Sequence, residues 1–418
     1  MIAALTVWWD RRIVGQLSID RSGEMRFVYS EEWLADTAAP ALSVSLPKQP
    51  DAFSRRQSRP FFEGLLPEES QREIIAAALG VSKGNEFRLL EKLGGEVAGA
   101  LILWPEGETP PEPQPTVAPV PLSDADLIAV LDRLPYRPML AGENGLRLSL
   151  AGAQSKLPVV LAADRVALPS LGQPTTHILK PPIARFDATT ENEAFAMRLA
   201  AHLGLDVAPV EARYVEDRTY LLVERYDREI RSDGQVHRLH QEDFCQALGV
   251  FPERKYASEG GPGFRQCFEL VRDVCTMPGI EVLKLLDAAI FQVLVGNADA
   301  HGKNYSLLHK DGAIILAPLY DLLSTVAYPD LSPDFAMKIA KRGTLARIAR
   351  VDWDRFARDA GVSAPFIYRR VKELAQLGSS LAAKVAEELH GPGLSSTALA
   401  ANAKRVHERA DALVKSTQ

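Results

Sequence analysis

Cysteine and long apolar runs are both scarce in this sequence. Three cysteines among 418 residues, an odd number, are too few for a disulfide framework and favour a reducing compartment. No apolar run reaches the roughly 18–20 residues that a transmembrane helix needs, so we expect no membrane span. The start, MIAALTVWWDRR, has no basic segment ahead of its apolar residues, which argues against a secretory leader. We therefore expect a cytoplasmic protein.

An excess of positive charge is also missing. The 48 Lys and Arg residues stand against 54 Asp and Glu residues, which gives a formal net charge of −6. This balance excludes a basic field over the whole chain for binding nucleic acid, although a local basic patch stays open. With 46% hydrophobic and 24% charged residues, the composition is that of a globular protein with room for two or three domains.

A proline-rich stretch divides the chain. Residues 105–121 hold seven prolines in seventeen positions, a density through which neither helix nor sheet continues. Strand patterns and then helix patterns precede it, so we predict an N-terminal strand–helix subdomain at 1–104 and a linker at 105–121. Strand-rich and then helix-rich patterns follow it, which predicts a β-rich lobe at 122–228 and an α-helical lobe at 229–418.

Local patterns predict several element ends. Ser123 is expected to cap the amphipathic helix LSDADLIAVLDRL, while Gly80 and Gly94 stand where two helices should end. The run LRLSL, residues 146–150, is predicted as a strand.

The densest polar stretch is VGNADAHGKNYSLLH, residues 295–309, which directly follows the apolar run AAIFQVL. Asp299 and Asn304 stand there as D-x-x-x-x-N, the spacing found in the catalytic loop of protein kinases. Phosphoryl transfer needs a carboxylate to orient and deprotonate the attacking hydroxyl, and an oxygen ligand for Mg²⁺ nearby. The structural alternative is a helix-capping turn in which both side chains bond the backbone.

Three charged residues elsewhere fit the same chemistry, and each has a structural alternative. Asp321, after the apolar run IILAP, would add a carboxylate for Mg²⁺, or it would cap a helix LLSTVA. Lys180 ends a strand from which it would reach phosphates, or it is a solvated strand edge. Glu193 would hold that lysine, or it would form a capping box with Thr190.

Two short segments complete the set. A small-residue turn has backbone N–H groups able to approach phosphate and polar side chains at its end, and the alternative is a plain hairpin turn. Its residues are Ala151, Gly152, Ala153, Gln154, Ser155 and Lys156. Glu224, Arg225 and Tyr226 end a hydrophobic strand, where a chain crossing between lobes would offer backbone groups to an adenine ring. The alternative for this segment is an ordinary strand end.

These pieces follow one another in the order that a protein kinase uses. A small-residue turn, a strand lysine, a helix, a crossover segment, a D-x-x-x-x-N loop and a later Asp are unlikely to coincide independently in this order. We therefore interpret residues 295–309 as a site. The predicted fold is α+β, with a small N-terminal strand–helix subdomain and a bilobal, protein-kinase-like body that has a β-rich lobe and an all-α C-terminal lobe.

Several motifs, of which NADAHGKN together with PLYD is the most specific, run through nearly the whole chain. They are AGAQSKLP, THILKPP, ENEAF, VERYDR, LHQEDFCQALG, KYASEGGPG, NADAHGKN and PLYDLLS. With these motifs the sequence resembles the HipA-type serine/threonine kinase toxins of bacterial toxin–antitoxin pairs.

The resemblance implies a role for each site residue. Asp299 would be the catalytic base, with Asn304 and Asp321 as Mg²⁺ ligands. ATP would be bound by Ala151, Gly152, Ala153, Gln154, Ser155, Lys156, Lys180, Glu224, Arg225, Tyr226, His301, Gly302, Lys303, Asn304, Tyr320 and Asp321. Ser149 matches the serine that such kinases autophosphorylate to eject the loop, since a phosphate there would repel those of ATP. The alternative for Ser149 is an ordinary strand hydroxyl.

The resemblance also implies partners. These are a small HipB-like helix-turn-helix antitoxin, operator DNA contacted mainly through that antitoxin, and an aminoacyl-tRNA synthetase as the substrate whose phosphorylation arrests growth. The net charge of −6 agrees with an antitoxin that supplies most phosphate contacts.

Two other classes of function stay open. A catalytically weak kinase fold would act as a binding and co-repressor module, although Asp299, Asn304, Asp321 and Lys180 are all present. A metal-dependent phosphohydrolase using Asp299, His301 and Asp321 would need more ligands than this neighbourhood offers.

Overall fold

The chain folds as two separately packed units in the computed structural model, which describes residues 3–112, 119–143, 145–232 and 234–418. The first unit comprises Met1–Pro181, Glu224–Glu253 and Leu308–Lys310, and the second comprises Pro182–Val223, Arg254–Leu307 and Asp311–Gln418. The four-part division predicted from the sequence stays a prediction. Residues 113–118 of the predicted linker lie outside the described residues.

The chain contains both strands and helices, as the α+β prediction requires, and its last part, after Leu316, is helical. The strands are β1 (Ala3–Trp9), β2 (Arg12–Ile19), β3 (Met25–Tyr29), β4 (Leu101–Pro105), β5 (Leu157–Ala162), β6 (Arg165–Ala167), β7 (His177–Lys180), β8 (Val210–Val215), β9 (Arg218–Glu224), β10 (Arg228–Ile230), β11 (Val236–Arg238), β12 (Gln241–Asp243), β13 (Ser306–Lys310) and β14 (Ala313–Leu316). The helices are α1 (Glu31–Ala35), α2 (Arg55–Glu63), α3 (Glu69–Leu79), α4 (Glu86–Leu93), α5 (Asp124–Arg133), α6 (Thr189–His202), α7 (Phe244–Ala247), α8 (Phe264–Val274), α9 (Pro278–Val295), α10 (Arg350–Ala360), α11 (Ala364–Glu388) and α12 (Ser396–Lys415).

The first unit begins with a four-stranded antiparallel sheet in the order β3-β2-β1-β4. Alternate residues of these strands are buried, among them Leu5 and Val7 of β1 and Phe27 of β3, so the sheet has one face in the core. Helix α2 packs on β3 and adds Phe61 and Phe62 to that core. Further along, β5 pairs antiparallel with both β6 and β7.

A carboxylate shared by three arginines lies inside the first unit. Glu96 accepts hydrogen bonds from Arg225 at 3.3 Å, from Arg228 at 2.7 Å and from Arg238 at 2.7 Å. Asp227 accepts two more from Arg225, at 2.9 and 2.8 Å. Burial alone would raise the pKa of Glu96, but the three guanidinium groups outweigh it and hold that pKa well below its usual range. The cluster fixes the segment after β9 to the segment before β4.

The second unit is built around helix α9. Every residue from Ala288 to Val295 is buried, and α8, α11 and α12 pack against this helix. Helix α11 approaches closely at Gly378, where an added Cβ would lie 2.7 Å from Leu294 Cδ2. Because the helix is buried on all sides over its last two turns, it is a core helix, and the chain leaves the interior at its C-terminal end.

Most predicted element ends are confirmed, and one predicted strand is wrong. Ser123 caps α5 by accepting a hydrogen bond from the Asp126 backbone N–H at 3.1 Å, and Gly80 ends α3 with a left-handed φ of 65°. Gly94 ends α4 in an ordinary conformation, with a φ of −72°. Residues 146–150 form no strand, because Leu148 makes an isolated parallel bridge to Glu96 rather than a ladder.

The cysteines and the longest apolar helices can be examined directly in the structure. All three cysteines are buried free thiols. Among the described residues, no helix combines the length and the apolar character needed to cross a membrane.

We expect Glu96→Gln to lower the free energy of unfolding by about 3–5 kcal/mol at pH 7, since it leaves buried arginines without their counter-charge. The pKa of Glu96 lies below its ordinary 4.5, so its contribution is complete above that pH and is lost as the pH falls through the lowered value. The difference in the free energy of unfolding between wild type and variant should therefore become smaller below about pH 4.5. Urea unfolding across this pH range measures it.

The matched control is Glu108→Gln, a change at an exposed glutamate of the same unit. It should alter the free energy of unfolding by less than about 0.5 kcal/mol. Equal stability of the two variants at pH 7 would contradict the account of the cluster.

Candidate active site

The polar stretch after α9 forms a loop that is tied down at nearly every residue. Helix α9 ends at Gly296, whose φ of 76° turns the chain out of the helix. The Gly296 carbonyl then accepts from the Val326 N–H at 3.1 Å, and the Ala298 N–H donates to Thr325 Oγ1 at 2.7 Å. The Ala298 carbonyl accepts from the Ala336 N–H at 2.7 Å. Because they hold the candidate base Asp299, residues 297–304 are called the catalytic loop from here on.

Asp299 is the exposed residue of this loop, between Ala298 and Ala300, which are both buried. Its backbone N–H donates to Asn297 Oδ1 at 3.1 Å, and its Oδ1 accepts from the Tyr256 hydroxyl at 2.9 Å. The carboxylate is therefore oriented by a side chain and is open to solvent. This is the arrangement that a base for an incoming hydroxyl requires.

Asn304 and Asp321 lie side by side. Asn304 Nδ2 donates to Asp321 Oδ2 at 3.1 Å, and Asn304 Oδ1 accepts from the His301 N–H at 3.1 Å. Asp321 has a left-handed φ of 59°, and no α-helix follows it: Thr325–Ala327 form a short 3₁₀ turn. The alternative in which Asp321 caps a helix LLSTVA is therefore wrong.

The Asn304–Asp321 pair suits Mg²⁺ in its donor types. It offers an amide oxygen with a free second lone pair and a carboxylate, and Mg²⁺ in phosphoryl-transfer sites takes one or two such ligands plus phosphate oxygens. No group of three or more His, Cys, Asp and Glu side chains in the described part of the chain is arranged to hold a metal ion.

The remaining loop residues are enclosed. His301 and Lys303 are each 7% exposed, and the His301 ring lies edge-on to Tyr256 with 5.2 Å between centroids. Gly302–Asn304 form a 3₁₀ turn whose Lys303 carbonyl accepts from the Tyr320 hydroxyl at 2.8 Å. The second unit thus brings together the predicted residues Asp299, His301, Gly302, Lys303, Asn304, Tyr320 and Asp321.

In the first unit, the turn from Ala151 to Lys156 is held by the side chain of Lys156 and by the backbone of Glu68. Lys156 Nζ donates to the Ala151 carbonyl, and the Gly152 carbonyl accepts from the Glu68 N–H at 3.2 Å. Gly152 has a φ of 113°, which only glycine adopts readily. Because no strand precedes the turn, the plain hairpin alternative is wrong.

The polar residues within this turn also have acceptors. Ser155 Oγ donates to Gln71 Oε1 at 3.2 Å, and Gln154 Nε2 donates to the Pro181 carbonyl at 3.4 Å. Ala153 lies between them at intermediate exposure. All the contacts described for this turn therefore lie within the first unit.

Ser149 is completely buried. Its hydroxyl donates to the Leu65 carbonyl at 2.7 Å, and its N–H donates to the Glu96 carbonyl at 2.8 Å. An ordinary strand hydroxyl, the alternative considered for this residue, does not describe it because residues 146–150 form no strand.

Lys180 is buried at the end of β7, with 7% of its surface exposed, so the solvated-edge alternative is wrong. Glu193 is also buried, and the capping box proposed for it with Thr190 is wrong as well. Helix α6 begins at Thr189 with Ala188 as its N-cap, which places Thr190 within the first turn.

In the segment Glu224–Tyr226, Arg225 makes its contacts inside the first unit. Arg225 donates its N–H to the Thr176 carbonyl at 2.9 Å, accepts from the Arg228 N–H at 3.2 Å, and buries its guanidinium in the Glu96 cluster. Its groups are therefore engaged within the first unit. Glu224 is exposed, and Tyr226 donates its hydroxyl to Gln241 Oε1.

Two residues of the site were not singled out from the sequence. Tyr256 orients Asp299, and Asn297 bonds both the Asp299 N–H and, at 3.5 Å, the Asp321 carbonyl. Asn297 opens the motif NADAHGKN, and its place directly after the helix-ending Gly296 was a usable signal. Tyr256 lies in the motif KYASEGGPG, for which the sequence analysis predicts no chemistry.

Comparison with known proteins identifies the family of this chain. Residues 5–104 match the model of the HipA N-terminal domain, and residues 148–387 match that of the HipA-like C-terminal domain. The chain is 61% identical to the putative kinase Y4mE of Sinorhizobium fredii over 389 residues, 93% of each chain. It is 33% identical to the serine/threonine-protein kinase toxin HipA of Shewanella oneidensis over 340 residues, 78% of this chain and 76% of that protein.

A solved structure agrees with these matches. The Shewanella oneidensis complex of HipA, HipB and operator DNA contains a chain that superposes on this one with a TM-score of 0.85. The two are 28% identical, and the superposition covers 97% of this chain and 96% of the other. The kinase-like α+β fold predicted from the sequence is therefore confirmed, and the chain belongs to the HipA family of serine/threonine kinase toxins.

Proposed function

We propose that this protein transfers the γ-phosphoryl group of ATP to serine or threonine hydroxyls of a protein, with Asp299 as the base. The observation that carries the proposal is the geometry of the catalytic loop. It presents one exposed carboxylate, orients that carboxylate through Tyr256, and places an amide and carboxylate pair, Asn304 and Asp321, at its end with 3.1 Å between them.

Each group has a distinct task. Asp299 accepts a hydrogen bond from the substrate hydroxyl and takes its proton as the new P–O bond forms. The bond from the γ-phosphorus to the β,γ-bridging oxygen breaks in the same step, and ADP leaves. Asn304 and Asp321 hold Mg²⁺, which when bound neutralises charge on the phosphate oxygens. His301, Gly302, Lys303 and Tyr320 shape and support this end of the nucleotide site. The tether from Tyr320 to the Lys303 carbonyl keeps the turn next to Asp321 in place.

We propose further nucleotide contacts for the other residues that the family resemblance implies. Lys180 and the turn Ala151, Gly152, Ala153, Gln154, Ser155 and Lys156 contact the phosphates, and Glu224 and Tyr226 lie at the base. The buried position of Lys180 supports this assignment, since a cation kept from water interacts more strongly with an anion than an exposed one. For Arg225 we propose a supporting role, because its guanidinium is engaged by Glu96 and Asp227.

The partners we propose follow the relatives. A HipB-like helix-turn-helix antitoxin binds the protein, operator DNA is contacted mainly through that antitoxin, and the toxin joins as co-repressor. The solved HipA, HipB and operator DNA complex supports this assembly. We propose an aminoacyl-tRNA synthetase as the protein substrate, with growth arrest as the outcome, and the cytoplasm as the location.

The function also includes a switch at Ser149. A phosphate on this serine has no room where its hydroxyl contacts the Leu65 carbonyl in a fully buried site. Burying a dianion beside a carbonyl oxygen is strongly unfavourable, so phosphorylation of Ser149 requires residues 149–156 to leave this position and to stay out of it. Loss of the phosphate-binding turn would then end activity.

We expect Asp299→Asn to slow self-phosphorylation by about 10²–10⁴-fold, because a general base typically contributes that much to the rate. Intact-mass spectrometry after incubation with ATP and Mg²⁺ measures the gain of phosphate. The matched control is Asp311→Asn, an equivalent change at an exposed turn, which should react like wild type.

Binding of ATP to the same variants separates the outcomes. Equal phosphate gain in wild type and Asp299→Asn would contradict the role of Asp299. If wild type neither gains phosphate nor binds ATP, the binding and co-repressor module replaces the kinase.

A protein phosphorylated at Ser149 should exchange the backbone amides of residues 146–156 much faster than the unmodified protein, since the Ser149 and Leu65 contacts are broken. Hydrogen–deuterium exchange measures the change, and Ser149→Ala should prevent it while leaving phosphorylation of other proteins intact. Ser170→Ala is the control, because Ser170 is exposed and lies outside the turn. Unchanged exchange after phosphorylation of Ser149, or mapping of the phosphate to Ser155 instead, would rule the switch out as described.

A further inference from the structure

Arg409 of α12 reaches the end of α9. Its Nη2 donates to the Val293 carbonyl at 2.6 Å, and its Nε donates to the Leu294 carbonyl at 3.1 Å. These carbonyls lie in the last turn of α9, where helix geometry leaves no backbone N–H to satisfy them. One side chain from a helix more than a hundred residues away therefore completes the end of the helix that carries the catalytic loop.

The Gln292 carbonyl, which precedes these two, is satisfied by the backbone next to it. The Gln292 carbonyl accepts from the Gly296 N–H and from the Asn297 N–H, both at 3.0 Å. The backbone alone thus closes one carbonyl, and Arg409 closes the next two. A guanidinium suits this place twice over, because its planar fork serves two acceptors and its charge opposes the negative end of the helix dipole. Burial lowers the pKa of Arg409 to about 10, with repulsion from Arg405 adding to it, so the group remains a cation at neutral pH.

The fork also adjoins the residue at which the chain leaves the helix. A Cβ added to Gly296 would lie 3.0 Å from Arg409 Cζ, so the guanidinium packs directly on this turn. Asp299 is three residues further on, and Asn297 links the turn to it by accepting from the Asp299 N–H at 3.1 Å. A shift of the last turn of α9 therefore reaches Asp299 through one hydrogen-bonded side chain.

We propose that Arg409 is a positioning residue for the catalytic loop: its contacts with Val293 and Leu294 fix where the loop leaves α9 and thereby where the Asp299 carboxylate stands. The inference rests on the proposed role of Asp299 as base. Arg409 contacts no reacting atom. It acts through the helix end, so its loss alters phosphoryl transfer more than nucleotide binding.

The kinetic test uses single-turnover phosphorylation of the full-length protein by ATP and Mg²⁺. We expect Arg409→Ala to slow transfer by about 10²-fold, the scale of a 1 Å misplacement of a catalytic group, while its affinity for ATP changes less than threefold. Arg409→Lys keeps the charge but not the planar fork of the guanidinium, so its transfer rate should lie between those of wild type and Arg409→Ala. Millimolar guanidinium chloride should restore much of the rate in Arg409→Ala and none in Asp299→Asn.

Arg405→Ala is the matched control. Arg405 lies one turn earlier on α12, and its Nη1 donates to Asn402 Oδ1 of the same helix at 2.6 Å. Its loss should leave the transfer rate within about twofold of wild type. A folded Arg409→Ala protein with the wild-type rate would overturn the proposal, as would an equal loss in Arg405→Ala or a loss of ATP affinity that parallels the loss of rate.

Hydrogen–deuterium exchange keeps this inference separate from the proposed function. If Arg409 holds the loop, then Arg409→Ala and Arg409→Lys should speed exchange at the amides of residues 296–301, and Arg405→Ala should not. If the variants exchange faster there but the wild type transfers no phosphate, the kinase function is refuted and the positioning role of Arg409 is kept. If the exchange is unchanged, the positioning role of Arg409 is refuted whatever the activity.

Discussion

The end of helix α9 is the constraint on which the candidate site depends. A helix buried over its last two turns needs partners other than water for its final carbonyls. Here the loop backbone satisfies the Gln292 carbonyl, and Arg409 satisfies those of Val293 and Leu294. The chain then leaves the core at Gly296 in a single direction. The polar density of the following residues has the same origin, because Asn297 and Asn304 bond the loop backbone that the helix can no longer serve. Asp299 is the exposed acid that this framework presents.

The same side chains build the loop and the site. Asn304 bonds the His301 N–H with its oxygen and Asp321 with its nitrogen, so the turn that ends the loop also sets the spacing of the proposed metal ligands. The capping-turn interpretation of D-x-x-x-x-N therefore holds for Asn304, whose side chain bonds the loop backbone. For Asn304, this structural role and the proposed role as a metal ligand fall on the same side chain. For Asp299, the partner of the carboxylate is the Tyr256 hydroxyl, and exposure leaves it accessible to a substrate.

In the first unit, buried charges rather than a helix end hold the chain segments in place. Glu96 receives three arginines in the interior, and its backbone also holds Ser149 through the Glu96 carbonyl. The segment that carries Ser149 is therefore anchored on the same residue as the segment that follows β9. Buried ion networks of this kind are costly to break once formed, which gives the closed position of Ser149 a stable foundation.

Local sequence patterns predicted what local physics determines. Alternating apolar residues gave the N-terminal strands, Ser123 gave the start of α5, and the D-x-x-x-x-N spacing located the loop. Contacts that depend on distant partners were not visible in the sequence. Tyr256 meets Asp299 from 43 positions away, and Arg409 meets Leu294 from 115 positions away. The buried ion pair of Arg225 with Glu96 joins residues 129 positions apart and was likewise not visible.

The central claim is that the catalytic loop and Asp321 form a magnesium–nucleotide site. Mn²⁺ stands in for Mg²⁺ and is visible by electron paramagnetic resonance, so we would titrate it into the protein with a non-hydrolysable ATP analogue. We expect protein-bound Mn²⁺ to depend on the nucleotide, and Asp321→Asn to weaken its binding by more than about tenfold. Binding that is equally tight in Asp321→Asn, or that needs no nucleotide, would contradict the account.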